Sequence, residues 1–271
     1  MQNVVVDLTR VGILSWCLLA GVALTGVSTH PALAADDAED GGQKVHPLVP
    51  AIAEARKGQE ALQQVKDYEA TFAKTEVVRG RPYPHEMRIK LRSEPFSVYL
   101  KFIDKAHEGR EVLYVTGKNN GKMKAHEGKG IKSLVTVDLN PNGPEALAEG
   151  RYPITNIGMM NMVTKLIERW EGESKFGEID VEYYPEAKIG KTDCLAIMVI
   201  HPIKRNQFKF HKTVLYLDKQ TNFPIRLENY DFPQRDGQEP PLVEQYQYTN
   251  IEVNKGLTDQ DFDYRNKQYN F

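Results

Sequence analysis

Hydrophobic and polar residues alternate along much of the chain, most clearly in the segment SEPFSVYLKF at residues 93–102. Large apolar residues occupy every second position from Phe96, and Ser97, Tyr99 and Lys101 stand between them. A repeat of two puts the apolar side chains on one face of a β-strand. Burying such side chains is worth roughly 1.5–3 kcal/mol each, so we expect this face to point inward. The apolar row consists of Phe96, Val98, Leu100 and Phe102.

The same alternation, bounded by turn-forming residues, predicts about eleven strands. Arg-Pro-Tyr-Pro at 81–84 predicts a turn, because proline cannot donate to a sheet ladder. Asn-Asn-Gly at 119–121 predicts another, because these residues tolerate a positive φ. Short connections make neighbouring strands antiparallel. The predicted strands are 67–78, 87–92, 96–102, 111–117, 122–126, 132–138, 178–184, 192–201, 207–217, 224–230 and 242–253, with a turn at 93–95.

Two segments follow the helical period instead. The first helix is predicted at about 49–66, with Pro50 in its first turn and Gln59 as the polar exception on its apolar face. The second is predicted at about 155–171, after the turn-rich segment 140–144. Its apolar stripe comprises Met159, Met162, Val163, Leu166, Ile167 and Trp170.

These elements predict an α+β fold. A twisted antiparallel sheet of eleven strands tends to curl or close. We therefore expect a strongly curled sheet that forms a half-open barrel, with an N-terminal helix and with the methionine-rich helix, inserted midway, as a plug or lid over the concave face.

The N-terminal segment is typical of export. Residues 11–27 are apolar and uncharged, and Ala32-Leu33-Ala34 has the small-x-small form that signal peptidase cleaves. We expect a signal peptide at 1–34 with cleavage after Ala34, a disordered acidic lead-in at 35–47 and a single domain at 48–271. The mature protein would be soluble and periplasmic or extracellular. An uncleaved membrane anchor is the alternative.

Charge and cysteine content narrow the function further. The net charge is −2, whereas a nucleic-acid-binding domain is expected to be basic, so no nucleic-acid partner is predicted. After cleavage the only cysteine is Cys194, which precludes an internal disulfide. Its strand-like setting indicates a small buried hydrophobic residue.

Five segments carry a resemblance to a secreted bacterial family of unknown function, DUF1571: 94–102, 109–115, 138–147, 151–158 and 257–271. The resemblance covers about 48–271. More remotely, the layout and the closing Leu257-Thr258-Asp259 tail are similar to the lipoprotein-carrier superfamily of LolA and LolB. That similarity implies a half-open barrel plugged by helices, and it implies no catalytic residues.

The sequence carries only weak motifs for catalysis or metal binding. The sequence has no Gly-x-Ser-x-Gly, and no histidine pair has a metal-ligand spacing. His107 and His126 flank successive strands, and we interpret them as solvated loop residues. Asp259, Asp261 and Asp263 lack the glycine and glutamate of a calcium loop. We predict no catalytic residue, no metal and no cofactor. The cationic row Arg88, Lys90 and Arg92 is interpreted as the wet face of a strand.

Three hypotheses remain for the function. The leading one is an exported, non-enzymatic carrier that holds a lipid, an acylated protein or another hydrophobic ligand in the half-barrel. The alternatives are an envelope protein-interaction or structural module with a filled core, and an enzyme acting on envelope polymers. Clustered methionines favour the carrier, since thioethers adapt to variable apolar partners. The predicted ligand-binding residues are Phe96, Val98, Leu100, Phe102, Met159, Met162, Leu166 and Trp170.

Overall fold

Two helices and eleven strands account for the regular structure in the computed structural model, which describes residues 45–235 and 237–271. The predicted signal peptide and most of the predicted lead-in lie outside these residues. Residues His46–Phe271 form one compact unit. The helices are α1 (Leu48–Leu62) and α2 (Met159–Glu173). The strands are β1 (Asp67–Val78), β2 (Arg81–Arg92), β3 (Ser97–Phe102), β4 (Glu111–Val115), β5 (Met123–His126), β6 (Thr136–Leu139), β7 (Asp180–Ile189), β8 (Thr192–Ile200), β9 (Lys212–Asp218), β10 (Pro224–Tyr230) and β11 (Leu242–Val253).

All eleven strands form one antiparallel sheet in the order β6-β5-β4-β3-β2-β1-β11-β10-β9-β8-β7. Two meanders, β1–β6 and β7–β11, meet in the middle, where the last strand pairs with the first. The sheet is open, because the ladder ends at β6 and β7. The predicted α+β half-open barrel of about eleven strands, with one N-terminal helix and one inserted midway, is confirmed.

The predicted turn at 81–84 is wrong. The hairpin turns earlier, at Arg79 and Gly80, whose φ angles of 51° and 76° suit a tight two-residue turn. β2 then begins at Arg81. Its first half tolerates Pro82 and Pro84 because β3 pairs only with the second half, from Met87 onward. The first half of β2 therefore has one edge without backbone hydrogen bonds to a neighbouring strand. A proline, which lacks an N–H, destabilises the sheet little at such an edge.

Helix α2 begins four residues later than predicted, at a point fixed by the sheet. Gly158 precedes it with a φ of 112°, and a Cβ there would lie 2.8 Å from the Leu91 side chain. The Tyr248 hydroxyl accepts a hydrogen bond from the Gly158 N–H at 3.2 Å, and the Tyr68 hydroxyl accepts one from the Met159 N–H at 3.3 Å. Two tyrosines thus satisfy N–H groups that a helix start leaves free.

The main core lies between the two helices and one face of the sheet. The predicted stripe of α2 is confirmed, since all six of its residues are buried. Helix α1 contacts α2, and Gln59, the polar exception, donates to the Thr164 hydroxyl at 2.9 Å. Within 45–235 and 237–271, neither helix is both long and apolar enough to span a bilayer.

The opposite face of β3 and β4 is covered by the C-terminal tail. Tyr99, predicted to lie on the outer side, is buried beneath Tyr269, whose ring stacks on it at 4.0 Å. Phe262 is buried in the same cluster, whereas Tyr264 is 44% exposed.

The tail also pairs with the cationic row on β2. Asp261 lies 3.1 Å from the Lys90 ammonium, and Asp259 lies 2.8 Å from the Arg92 guanidinium. Asp263 in turn lies 2.7 Å from the Arg265 guanidinium, so all three aspartates considered for calcium pair with cations of the protein itself. Of the cationic row, only Arg88 is an exposed residue, so the prediction of a wet face is wrong for the other two.

Candidate functional site: a cavity between the sheet and the second helix

A cavity of about 1080 Å³ lies between the inner face of the sheet and α2. Strands β1–β6, β10 and β11 contribute to its wall, together with α2 and the segment that precedes this helix. Its volume is at the upper end of typical ligand cavities, roughly 300–1,000 Å³. The apolar wall is formed by Phe72, Met87, Leu100, Phe102, Val112, Met123, Ala125, Leu139, Ala146, Ile154, Ile157, Met162, Leu166, Leu227 and Tyr248.

Four of the eight predicted ligand-binding residues line this cavity, namely Leu100, Phe102, Met162 and Leu166. The other four do not contribute to its wall. Val98, Met159 and Trp170 are completely buried in the main core, and Phe96 is partly buried against it. Both the β3 row and the α2 stripe therefore divide between solid core and cavity wall.

The inward rows of several strands change from apolar to polar toward one end of the cavity. On β1, the row that includes Phe72 continues with Lys74 and Glu76. On β2, His85 follows Met87 in the same row. The cavity is therefore amphipathic, with an apolar part and a polar end. The exposed polar residues that line it at the surface are Glu145, Lys165, Glu168, Gln207 and Lys209.

Two buried carboxylates dominate the polar end. Glu76 of β1 and Glu244 of β11 face each other in the sheet register, an arrangement that is destabilising unless the charges are compensated. Glu76 accepts hydrogen bonds from the Lys74 ammonium at 2.8 Å, the Tyr246 hydroxyl at 2.6 Å and the Arg151 N–H at 3.0 Å.

Glu244 is similarly surrounded by donors. The Asn229 amide donates to it at 2.9 Å and the Tyr152 hydroxyl at 3.0 Å, while the Arg151 guanidinium lies 2.8 Å away. Each carboxylate therefore has three polar partners from the protein itself. No sequence motif marks this cluster, because its members come from three strands, β1, β10 and β11, and an irregular loop.

The pKa values in this cluster follow from burial and charge. Burial alone would raise the pKa of Glu76, but the Lys74 charge and the three hydrogen bonds outweigh it, so the pKa is below its ordinary value. Burial, then the charges of Glu244 and Glu76, raise the pKa of Tyr246 far above its usual range. Burial and Glu244 also raise the pKa of Tyr152 to about 12. At neutral pH the carboxylate of Glu76 is ionised and both tyrosines remain donors.

The histidines are arranged differently from the prediction. His107 meets His85, with ring centroids 4.7 Å apart, rather than His126. His126 is buried on β5 beside the Thr136 hydroxyl, so it is not a solvated loop residue. His85 lines the cavity, and burial together with the charges of Lys74 and His107 lowers its pKa to about 4.

Cys194 is fully buried on β8, as predicted from its strand-like setting. Burial is the main cause that raises the pKa of its thiol to about 11. The thiol does not line the cavity. It fits the predicted role of a small hydrophobic residue.

An open antiparallel half-barrel whose inner face and plug helix enclose an amphipathic cavity is thus the class of structure that this chain adopts. Residues 65–271 match the family described as a protein of unknown function, DUF1571, and the chain belongs to that family. A search of curated proteins found no match to this sequence.

Several solved structures are similar to this chain over most of its length. The lipoprotein LppX of Mycobacterium tuberculosis is 13% identical, with a TM-score of 0.47, over 79% of this chain and 100% of that chain. A DUF1329 family protein from Desulfovibrio piger is 13% identical, with a TM-score of 0.40, over 80% of this chain and 98% of that chain. A LolA superfamily protein from Nitrosomonas europaea is 10% identical, with a TM-score of 0.32, over 78% of this chain and 96% of that chain. Similarity at this level does not transfer a ligand or an activity.

Proposed function

We propose that this protein is an exported, non-enzymatic carrier that binds a molecule with an acyl chain in the cavity beneath α2. The observation that carries the proposal is the cavity itself, which remains between the sheet and the helix although the surrounding core is densely buried. The alternative of an envelope module with a filled core requires a solid interior. The cavity favours the carrier over that alternative.

The lining indicates the chemistry of the ligand. Aliphatic, aromatic and thioether side chains form a continuous wall around the inner part, which suits an acyl chain. Met87, Met123 and Met162 are all in this wall, and thioether side chains adapt to chains of different length and shape. The polar end and the charged rim suit the head of an amphipathic molecule, such as a lipid or an acylated protein.

The buried carboxylates support a binding role rather than catalysis. A general acid or base needs a pKa near the working pH and a free approach to the substrate. Glu76 has a lowered pKa, and its hydrogen-bonding capacity is taken up by Lys74, Tyr246 and the Arg151 backbone. We therefore expect this pair to define the polar end of the site and to fix the sheet there.

Lipid extraction and native mass spectrometry of the purified mature protein test the proposal directly. We expect a bound lipid or fatty acid, and displacement of a fluorescent apolar dye by added fatty acid. In Met162→Trp the larger ring would occupy part of the cavity, and we expect dye affinity to fall about tenfold or more, which corresponds to about 1.4 kcal/mol.

Met198→Trp is the matched control, because Met198 is equally well buried but lies outside the cavity wall. Dye affinity should be unchanged in this variant, provided that circular dichroism shows a folded protein. The absence of both bound lipid and dye displacement in the wild type would refute the carrier proposal.

Export is the second part of the proposal, and it rests on the N-terminal sequence. Expression of the full chain in a bacterium, followed by fractionation and intact-mass measurement, should yield a soluble periplasmic or secreted species that begins at Ala35. A species of full-length mass in the membrane fraction would favour the uncleaved anchor instead.

A further inference from the structure

Two histidines and a glutamate converge on one point in the cavity wall. His85 comes from β2, His107 from the connection between β3 and β4, and Glu149 from the long connection between β6 and α2. Their potential ligand atoms all lie within 4.8 Å of one another. The Nε2 atoms of both histidines are 3.8 Å from the same carboxylate oxygen, Oε2 of Glu149.

The tautomer of His107 follows from its neighbour. Its Nδ1 atom lies 2.9 Å from Oδ1 of Asp104, and an ionised carboxylate only accepts hydrogen bonds, so Nδ1 carries the proton. Nε2 of this tautomer is the nitrogen available to a metal ion, and it lies 3.8 Å from the Glu149 oxygen. The Glu149 oxygen already accepts a hydrogen bond from the Arg110 guanidinium at 2.7 Å, whereas Nε2 of His107 has no partner closer than this oxygen among the interactions of the described residues, and a cation between the two atoms would supply one.

His85 provides an independent indication of a missing partner. Its side chain is only 3% exposed, and its buried Nδ1 atom has no hydrogen-bond partner. Its Nε2 atom has none closer than the Glu149 oxygen at 3.8 Å among the interactions of the described residues. Buried polar side chains nearly always make hydrogen bonds, and an ion bound at Nε2 would give this imidazole a partner.

The groups around these three side chains hydrogen-bond them in the way that outer-shell residues orient the ligands of a metal site. Asp104 orients His107 through Nδ1, and the Arg110 guanidinium donates to Glu149 at 2.7 Å. Ligating histidines typically donate their other N–H to a carboxylate, and ligating carboxylates are themselves hydrogen-bonded. Arg110 also donates to Glu127 at 2.9 Å, so two carboxylates share one guanidinium.

We propose that His85, His107 and Glu149 bind a divalent transition-metal ion of the Zn²⁺ class in the cavity wall. Two imidazoles and one carboxylate are a ligand set of zinc and related ions. Ligand atoms about 2.1 Å from one tetrahedral ion lie roughly 3.4 Å apart. Both nitrogen–oxygen distances of 3.8 Å are close to this value, and the three ligand atoms, which lie within 4.8 Å of one another, would have to contract around the ion. Because His85 and Glu149 line the cavity, the fourth position faces the space where the ligand would bind.

Zinc binding to the purified protein, after treatment with a chelator and dialysis, tests this site without reference to any lipid. We expect isothermal titration with Zn²⁺ to give one site per chain. Co²⁺ in its place should give the d–d absorption bands of a four- or five-coordinate ion. The cavity-filling variant Met162→Trp should bind Zn²⁺ normally, so failure of the carrier proposal and failure of the metal site are distinguishable.

Three variants identify the ligands. His107→Gln and Glu149→Gln should each weaken Zn²⁺ binding about a hundredfold or more. Asp104→Asn should weaken it about 10–100-fold, since it alters only the orientation of His107. The matched control is His46→Gln, because His46 contacts the Phe176 carbonyl and lies outside the cluster, and it should bind like the wild type.

His107 and Glu149 lie on irregular connections and are partly exposed, so both glutamine variants are expected to remain folded, which circular dichroism will verify. The proposal is overturned if the wild type takes up no Zn²⁺, or if His107→Gln and Glu149→Gln bind it as tightly as the wild type does. The second result would place the metal on other side chains.

Discussion

At the residue scale, Glu76 and Glu244 are two buried carboxylates whose charges must be compensated by their neighbours. Two carboxylates opposite each other on neighbouring strands repel, and burial disfavours their charge. Lys74, Arg151 and two tyrosines compensate this cost. Removal of one partner from such a buried cluster destabilises the fold, because the remaining charge stays buried without compensation.

The variant Glu76→Gln should be less stable than the wild type by about 1.5–3 kcal/mol at pH 7, since it loses hydrogen bonds to a charged group. The folded-state pKa of Glu76 is below its ordinary value of 4.5. Its stabilising effect is therefore fully present above the unfolded-state pKa and is lost as the pH falls through the folded-state pKa. Chemical unfolding between pH 3 and 7 should show a smaller acid-induced loss for the variant.

Glu252→Gln is the control for this prediction. Glu252 lies at the end of β11, is exposed and pairs with Lys255 only across the surface. Its loss should leave the free energy of unfolding unchanged within error. Equal effects of the two substitutions would contradict the role assigned to Glu76.

At the scale of elements, the position of α2 depends on the sheet hydroxyls that accept hydrogen bonds from its first N–H groups. Tyr248→Phe removes one acceptor and leaves the buried Gly158 N–H without a partner. We expect a loss of about 1–3 kcal/mol in the free energy of unfolding. Tyr184→Phe should cost much less, because its hydroxyl contacts only the exposed Glu182. Urea unfolding of both variants measures the difference.

The C-terminal tail is a second element whose contribution can be measured. Tyr269→Ala removes the ring stacked on Tyr99 and the hydroxyl that donates to the Asp261 carbonyl at 2.8 Å. We expect a loss of about 1–3 kcal/mol from the buried area and the aromatic pair. Tyr264→Ala, in the same tail, should have a smaller effect because that ring is 44% exposed. Dye binding in the cavity should survive in both variants, since Tyr269 does not line the cavity.

At the scale of the whole molecule, the carrier proposal predicts that the ligand stabilises the fold. The cavity wall draws on strands from both meanders and on α2, so a ligand that fills it contacts the elements that form the core. A ligand present at a hundred times its dissociation constant should raise the free energy of unfolding by about 2.7 kcal/mol. Extraction of the lipid should lower the melting temperature in calorimetry, and added fatty acid should restore it. An unchanged melting temperature on extraction of a bound lipid would contradict this linkage.

Much of the architecture was predictable, because the local period of the chain reports which side of an element is buried. The alternation along β3 and the stripe of α2 gave correct faces. The start of β2 was missed because the tolerance of Pro82 and Pro84 depends on where a third strand begins to pair. Tyr99 and Lys90 were assigned to a wet face because nothing local shows that residues 257–271 return to cover them.

The candidate site was predictable only in part. Periodicity distinguishes inward from outward, but it does not distinguish core from cavity, which is why Leu100 and Phe102 line the cavity while Val98 does not. The cluster of His85, His107 and Glu149 has no sequence signature, since its members are separated by 22 and 42 positions and lie on three different segments.

The sequence by itself determined the elements, their inward faces, the antiparallel arrangement and the family, because each of these follows from neighbouring residues or from short connections. The tertiary structure decided where the interior stays empty, which charges meet and which outer surface the tail covers. The physical reason is distance along the chain. Cavities, buried ion pairs and side-chain clusters form between segments that only the pairing of β1 with β11 and the docking of α2 bring together.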